Sequence, residues 1–350
     1  MIEVLKFGET ALQNDLTIAK VIEIIKKHQE NKLIVVVSAM KNGPYATKTL
    51  STLANNLTID EASRIVSCGE TISSVILSSR LKNANLKAIS LSCHQIGLKT
   101  RKKRLVAINQ ARIKKLFETY DILIIPGFQG INEQGEIRIL DPGDSDYTAI
   151  YLAKRLKLDR VYLYSEAGGI YTGDPEFIDH PKLLSHINYF QVLDLVKYQS
   201  GIIAFKALAE ANKIDQFKIM LRSYSNEKIG TLINHDDLNV RTMAIDFDYH
   251  LIRFETVIDN QDRKYFHDHF GKDYFIKKEN LSKLKTPYLI MGNYTKIHFV
   301  GCGLNKDEIY RNFLDRFAIV SQNETASYYI NERTQHQDIN LLHDIIVRSD

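Results

Sequence analysis

The chain has 350 residues, 44% hydrophobic and 25% charged, the make-up of a soluble globular protein with two or more domains and ample core. A net charge of +4 is too small over this length to argue for nucleic acid, and no apolar run approaches the roughly 18 residues of a membrane span, so neither partner is expected. The opening MIEVLKFGET lacks the apolar core of a signal peptide, and the three cysteines, Cys68, Cys93 and Cys302, show no metal-ligand spacing, which suits a cytoplasmic protein with reduced thiols.

Residues 2–7 alternate into a short strand that stops at Gly8. Gln13–Lys27 carries Leu16, Ile18, Val21, Ile22 and Ile25 at amphipathic helical spacing, and Leu33–Val37 is a continuous apolar strand ending in Ser38. Strand, helix and strand at this spacing predict a βαβ unit of a parallel sheet, with Lys6 and Ser38 at one edge. Ile59–Leu81 has a helical pattern interrupted by Gly69, which costs about 1 kcal/mol inside a helix and marks close approach of a ligand or another backbone. Lys87–Leu91 is a strand, the basic run Lys99–Arg104 a solvated helix start or loop, and Arg112–Thr119 a helix.

The stretch from Ile124 to Pro175 organises the rest. The apolar run Ile122–Ile125 breaks at Pro126 and Gly127, as a buried strand ends in a tight turn. A second turn, Asp141-Pro142-Gly143-Asp144, leads into Ser145 and Asp146 ahead of a helical TAIYLAKRL, where Ser or Asp would cap a helix N-terminus that favours anions. Strand Arg160–Tyr164 then feeds the glycine-rich loop Ser165–Pro175. Strand ends that carry Gly, Ser, Asp and Glu on neighbouring loops are where open α/β sheets bind ligands, here a nucleotide or phosphate; a plain turn and helix cap is the competing reading.

Ser185–Val196 and Ile203–Ala211 read as helices and Gln216–Leu221 as a strand, which closes a first domain at residue 235. Residues 240–350 show strand-like runs at Thr242–Asp246, Leu251–Glu255, Tyr288–Met291 and Lys296–Val300, with helical patterns at Asp262–Phe270 and Asp307–Phe317. That rhythm predicts two βαββ-like units, a pair of small ferredoxin-like α+β modules with a regulatory or dimerising role.

Taken together, LKFGET, VVVSAM, GPYAT, SCGETISSV, GFQG, GDSDYTA, GGIYTGDP and RSYSNEKIGTL are similar to the motifs of aspartate kinases, strongly from residue 3 to about 235 and weakly beyond, where VGCG and the strand–helix rhythm resemble paired ACT modules. The resemblance implies a mainly parallel sheet of the amino-acid-kinase type between helices, followed by ACT-like modules. It implies transfer of the γ-phosphoryl group of ATP, with Mg²⁺, to the β-carboxylate of L-aspartate. It further implies a homodimer or a partner kinase subunit, and lysine or threonine as effector. Lys6 and Asp146 would then be the catalytic pair. Lys6, Phe7, Gly8, Thr10, Ser38, Ser165, Glu166, Tyr171 and Asp174 would hold ATP, and Thr47, Glu70, Phe128, Gln129, Gly143 and Ser145 the substrate. Such a reaction needs two anions brought together amid positive charge and backbone N–H groups, rather than covalent help.

The chain departs from the family's pattern on charges. Pro142, Glu176 and Gly201 stand where the family carries cations, and Glu9 and Asp144 add carboxylates. Arg138, Lys41, Lys48 and Lys206 are the candidates to replace the lost charge. The alternative expectation is therefore a catalytically impaired paralogue that binds a ligand or regulates an active kinase subunit. Tyr147 is expected only to pack.

Overall fold

The computed structural model describes residues 1–198, 201–226, 230–236, 240–270, 272–301, 317–322, 325–331 and 335–348. The chain divides into two compact units. The first comprises Met1–Ile170, Ser185–Tyr189 and Gly201–Asp236; the second comprises Tyr171–Leu184, Phe190–Ser200 and Asp237–Asp350.

The first unit begins with β1 (Ile2–Phe7), α1 (Asp15–Lys27) and β2 (Lys32–Val37). Asn14 and Thr17 form a reciprocal capping box at the start of α1, and Lys26 and Lys27 lie in its last turn, where positive charge suits the helix dipole. Its buried residues Ile18, Val21, Ile24 and Ile25 pack on Leu5, Phe7, Leu33, Val35 and Val37 of the sheet, while Leu16 turns out to solvent. Then come α2 (Thr47–Thr52), α3 (Ile59–Val66), α4 (Cys68–Asn83), β3 (Ala88–Ser90), β4 (Lys99–Arg101), β5 (Arg104–Ala107), α5 (Gln110–Leu116) and β6 (Ile122–Pro126). They lead into β7 (Gln129–Ile131), β8 (Ile137–Ile139), α6 (Ser145–Arg155) and β9 (Arg160–Ser165). After β9 come the short ribbon of β10 (Ile170–Tyr171) and β11 (Leu183–Leu184), then β12 (His186–Asn188) and α7 (Tyr189–Leu195), of which β11 and α7 from Phe190 onward fall in the second unit; α8 (Phe205–Ala211), β13 (Lys218–Ser223) and β14 (Gly230–Asn234) complete the first.

Eight strands form one sheet in the order β12-β14-β13-β9-β1-β2-β6-β3, parallel except where β13 meets β14. β1 lies between β9 and β2, so the ends of β9, β1, β2 and β6 share one edge. A smaller sheet, β5-β4-β7-β8, carries the basic run as a β-hairpin rather than a helix start. The expected long helix from Ile59 is two helices broken at Ser67, and the helix expected from Ser185 begins only at Tyr189, after β12.

The second unit is built on an antiparallel sheet, with β15 (Thr242–Phe254), β16 (Phe266–Phe270), β17 (Asp273–Lys277), β18 (Tyr288–Val300), β19 (Phe317–Gln322) and β20 (Thr325–Asn331) in the order β16-β17-β15-β18-β20-β19. The four short strand runs expected here merge into two strands of 13 residues each. Asp262–Phe270, expected as a helix, is a single 3-10 turn followed by β16, which pairs antiparallel with β17. The expected helix 307–317 and Cys302 lie largely or wholly outside the described residues. A C-terminal helix, Gln335–Arg348, packs Ile339, Leu342 and Ile346 on Met243, Ile297, Phe299 and Tyr328. On strand alternation the neighbours of these sheet residues are buried polar groups. His298 joins Asp194 and Ser327 at 2.9 Å each, and Lys296 joins Asp268 at 2.9 Å.

Candidate active site

The ends of β1, β2 and β6 meet the first turn of α6. Asp144 is the N-cap residue of that helix, and its side chain makes no cap hydrogen bond to the helix. Ser145 and Asp146 therefore do not cap; they sit in the first turn and reach the sheet. Lys6 Nζ lies 2.7 Å from Asp146 Oδ1, both side chains 12% exposed. Ser38 and Ser145 share a buried hydroxyl hydrogen bond of 2.8 Å. Gly127 makes this approach possible, because a Cβ there would stand 2.7 Å from Ser145 Cβ. The next residue, Phe128, holds a positive φ of 64°, which only tertiary contacts sustain in a bulky side chain. Its N–H donates to Thr148 Oγ1 on α6 at 3.2 Å, and its carbonyl accepts from Leu140 N at 2.8 Å.

Glu70 reaches the same edge from α4. Gly69 has Tyr45 O and Ala39 Cβ within 2.8 Å of where a Cβ would be, so the glycine inside the helical pattern lets α4 press against the segment after β2. Glu70 is 3% exposed; Oε1 accepts from Ala39 N at 3.3 Å, and Oε2 has no hydrogen-bond partner among the described residues. Burial pushes its carboxyl up to about 7, with the Ala39 N–H and the Thr47 hydroxyl acting in the opposite direction. A buried carboxylate with an unsatisfied oxygen is a receptor for a cationic group. Thr47 opens α2, and Gln129 Nε2 donates to Ser67 O at the break between α3 and α4 at 3.2 Å.

Gly8 donates its N–H to Tyr164 O at 3.0 Å, and Thr10 follows in the same turn. Ser165 ends β9 and accepts from Gly168 N at 3.0 Å; Glu166 beside it is exposed and takes the Ser223 hydroxyl on its carbonyl. Tyr171 and Asp174 belong to the second unit, where Asp174 Oδ1 accepts from Glu176 N. The first unit alone thus gathers Lys6, Ser38, Glu70, Ser145 and Asp146, and Glu9 turns out to solvent.

The turn before α6 carries its own charge network. Gly143 has φ +86, as its turn requires, and Asp141 pairs with Lys103 at 2.8 Å. Asp144 pairs with Lys206 at 2.6 Å. Burial raises the Asp144 carboxyl while Lys206 opposes the shift. Lys206 also lies 4.7 Å from the centre of the Tyr147 ring, and Tyr147 Oη accepts from Leu105 N at 3.2 Å, so Tyr147 does more than pack. The other replacement candidates are elsewhere engaged or exposed: Arg138 pairs with Asp60 and Glu136, and Lys41 and Lys48 face solvent. The roles of Tyr147, Thr148 and Gly127 escaped the sequence reading. Gly127 alone carried a signal, as the glycine between an apolar strand and a loop.

Residues 1–216 match the model of the amino acid kinase family. The chain belongs to the amino acid kinase family. Among its relatives, an aspartate kinase of Pseudomonas putida is 31% identical over 242 residues, 66% of this chain and 58% of the relative. An aspartokinase of Rickettsia conorii is 32% identical over 255 residues, 69% of this chain and 62% of the relative. The matched stretches thus span 58–62% of these relatives' own lengths. Among solved structures, E. coli aspartokinase III in complex with aspartate and ADP has a TM-score of 0.75 at 16% identity, covering 99% of this chain and 100% of that one. The Clostridium acetobutylicum aspartate kinase gives the same score and identity, with the same coverage. At these identities the structural likeness is one of fold, and it extends over both units of this family member.

Proposed function

We propose that the protein is an aspartate kinase that moves the γ-phosphoryl group of ATP to the β-carboxylate of L-aspartate. The observation that carries the reading is Glu70, a buried carboxylate whose Oε2 has no hydrogen-bond partner among the described residues, at the sheet edge where Lys6 meets Asp146. The names of the relatives, and an E. coli neighbour solved with aspartate and ADP, support this choice of substrates.

In this proposal Glu70 takes the amino group of aspartate, with Thr47, Phe128, Gln129, Gly143 and Ser145 around the rest of the substrate. Lys6 neutralises charge on the phosphoryl group in flight, and Asp146 orients Lys6. Phe7, Gly8, Thr10, Ser38, Ser165 and Glu166 hold the nucleotide. Mg²⁺ would come with the triphosphate and neutralise its oxygens; a cation bound largely through phosphates needs no all-protein cage, and among the described residues no group of three or more His, Cys, Asp or Glu is placed to hold a metal ion by itself. The proposal extends to a cytoplasmic homodimer divided into a kinase domain at 1–235 and an ACT-like regulatory region at 240–350. Lysine or threonine is its proposed effector, by analogy with an E. coli aspartokinase III solved with lysine and aspartate.

The test is an acyl-phosphate (hydroxamate) assay on the purified chain with ATP, Mg²⁺ and aspartate, against Lys6→Ala. Product above that control supports the reading. ATP binding without product overturns it in favour of the impaired, regulatory paralogue.

A further inference from the structure

Lys206 stands on α8 and joins three segments that are distant in sequence. Its ammonium meets Asp144 Oδ2 at 2.6 Å and Asp141 Oδ2 at 3.4 Å, and it donates to the carbonyl of Lys103. The Asp144 side chain is only 2% exposed, and the same Oδ2 accepts the Asp141 N–H at 3.0 Å. The Asp144 carbonyl accepts both the N–H and the hydroxyl of Thr148 at 2.9 Å, and that hydroxyl accepts the N–H of Phe128. Ser145 and Asp146 follow directly in the chain.

The hairpin tip tells the same story from the other side. Lys102 and Lys103 have φ of +48 and +58, where side chains are disfavoured and Asn or Gly is usual in a two-residue hairpin turn. Such a conformation persists where surrounding contacts hold it. Here the contacts are Lys103 to Asp141 and the Lys103 carbonyl to Lys206.

We propose that Lys206 is a positioning residue that, through Asp144, sets the first turn of α6 and so places Ser145 and Asp146 against Ser38 and Lys6. It also removes a charge problem. Asp141 and Asp144 both turn their carboxylates to Lys206 at this helix N-terminus, and without Lys206 the buried Asp144 would be an uncompensated anion where phosphate must approach. A shift of about 1 Å in such a site costs on the order of 100-fold in rate.

The inference rests on the kinase reading, and the experiment separates the two. Full-length wild type, Lys206→Met, Lys206→Arg, Asp144→Ala and Asp144→Ala/Lys206→Met are compared by thermal melting, ATP affinity and hydroxamate kinetics at a temperature where each is folded. Lys206→Met is expected to lose at least tenfold in kcat with less than a threefold change in the aspartate KM. Lys206→Arg should stay within threefold of wild type. The double variant should be no worse than Asp144→Ala and better than Lys206→Met. Should Lys206→Met not fold, Asp144→Ala breaks the same tie without burying a charge and is expected to lose at least fivefold in kcat. Folded Lys206→Met or Asp144→Ala at wild-type kcat overturns the inference, as does a double variant as poor as the two losses multiplied. If wild type binds ATP but forms no acyl phosphate, the kinase reading fails and ATP affinity decides alone. Weakening in Lys206→Met that Asp144→Ala relieves then supports the inference, and unchanged affinity overturns it.

Discussion

Lys6 Nζ and Asp146 Oδ1 lie 2.7 Å apart and tie the end of β1 to the first turn of α6. Each side chain is 12% exposed, so the pair is shielded from solvent yet still reachable. A lysine held this way is oriented before an anion arrives, and it can exchange part of its carboxylate contact for phosphate without searching rotamers.

Lys6→Met should therefore lower acyl-phosphate formation by about 100-fold or more, the usual cost of a lost transition-state donor. It also strands Asp146, so the fold should lose about 1–3 kcal/mol, and Asp146→Asn in the same chain should return part of it. Urea denaturation and the hydroxamate assay check the two effects separately. Wild-type turnover in Lys6→Met would remove Lys6 from the chemistry.

Glu70 gives a pH dependence with a definite sign. Its carboxyl lies at about 7 in the folded chain against 4.5 as a free group, because burial penalises the ion. Folded Glu70 thus holds its proton through a window in which the unfolded chain releases it, and stability falls as pH rises from 4.5 to 7. Above that window the ion costs ~3 kcal/mol, so Glu70→Gln should raise Tm at pH 8 and leave it unchanged at pH 4. Aspartate binding should run the other way: KM should rise as pH drops below 7 and Glu70 loses its charge, and Glu70→Gln should flatten that profile while raising KM throughout. A wild-type KM independent of pH from 5.5 to 8 would dissociate Glu70 from the amino group.

The sheet edge was legible in the sequence because β1, β2 and β6 are short apolar runs that end in Gly, Ser or Pro. Lys6 and Ser38 could be placed at one edge from that alone, whereas Ser145 was expected to cap the following helix. The break at Ser67 was not legible, since apolar periodicity continues across it and the cause is tertiary: Gly69 fits under Tyr45 and Ala39. Nor was the Lys206–Asp144 pair, which joins residues 62 apart in sequence on a helix of only seven residues. In the second unit, runs of alternating residues looked like separate strands because polar Asp248 and Asn293 interrupt them; the register shifts near both positions keep each strand continuous.

Two glycines at the edge should respond differently to a methyl group. At Gly127 a Cβ meets Ser145 Cα at 3.0 Å and Val36 Cγ1 at 3.1 Å, so Gly127→Ala pushes α6 away from β2. The cost should be about 1–3 kcal/mol, with a large loss of activity. At Gly8 the nearest atoms are Tyr164 O at 3.5 Å and Lys6 Nζ at 3.7 Å, an ordinary contact. Gly8→Ala should hold wild-type stability within about 0.5 kcal/mol and weaken ATP binding by crowding the approach to Lys6. Equal urea midpoints for the two variants would contradict the packing argument.

The second unit encloses a charged pair. Lys296 and Asp268 are buried, 6% and 9% exposed at their side chains, and their ends lie 2.9 Å apart. The Tyr329 hydroxyl donates to the same Asp268 oxygen, and Lys296 stands 5.3 Å from the Tyr329 ring centre and 5.1 Å from that of Tyr198. Asp268→Ala leaves a buried ammonium and a buried hydroxyl without their acceptor, and should cost about 3–5 kcal/mol. Asp268→Ala/Lys296→Met removes the stranded charge, so it should be markedly more stable than Asp268→Ala alone. A chemical-denaturation cycle over the four proteins measures the coupling. Additive losses in the double variant would mean that the two charges do not depend on each other, and that the aromatic rings around Lys296 suffice to hold it.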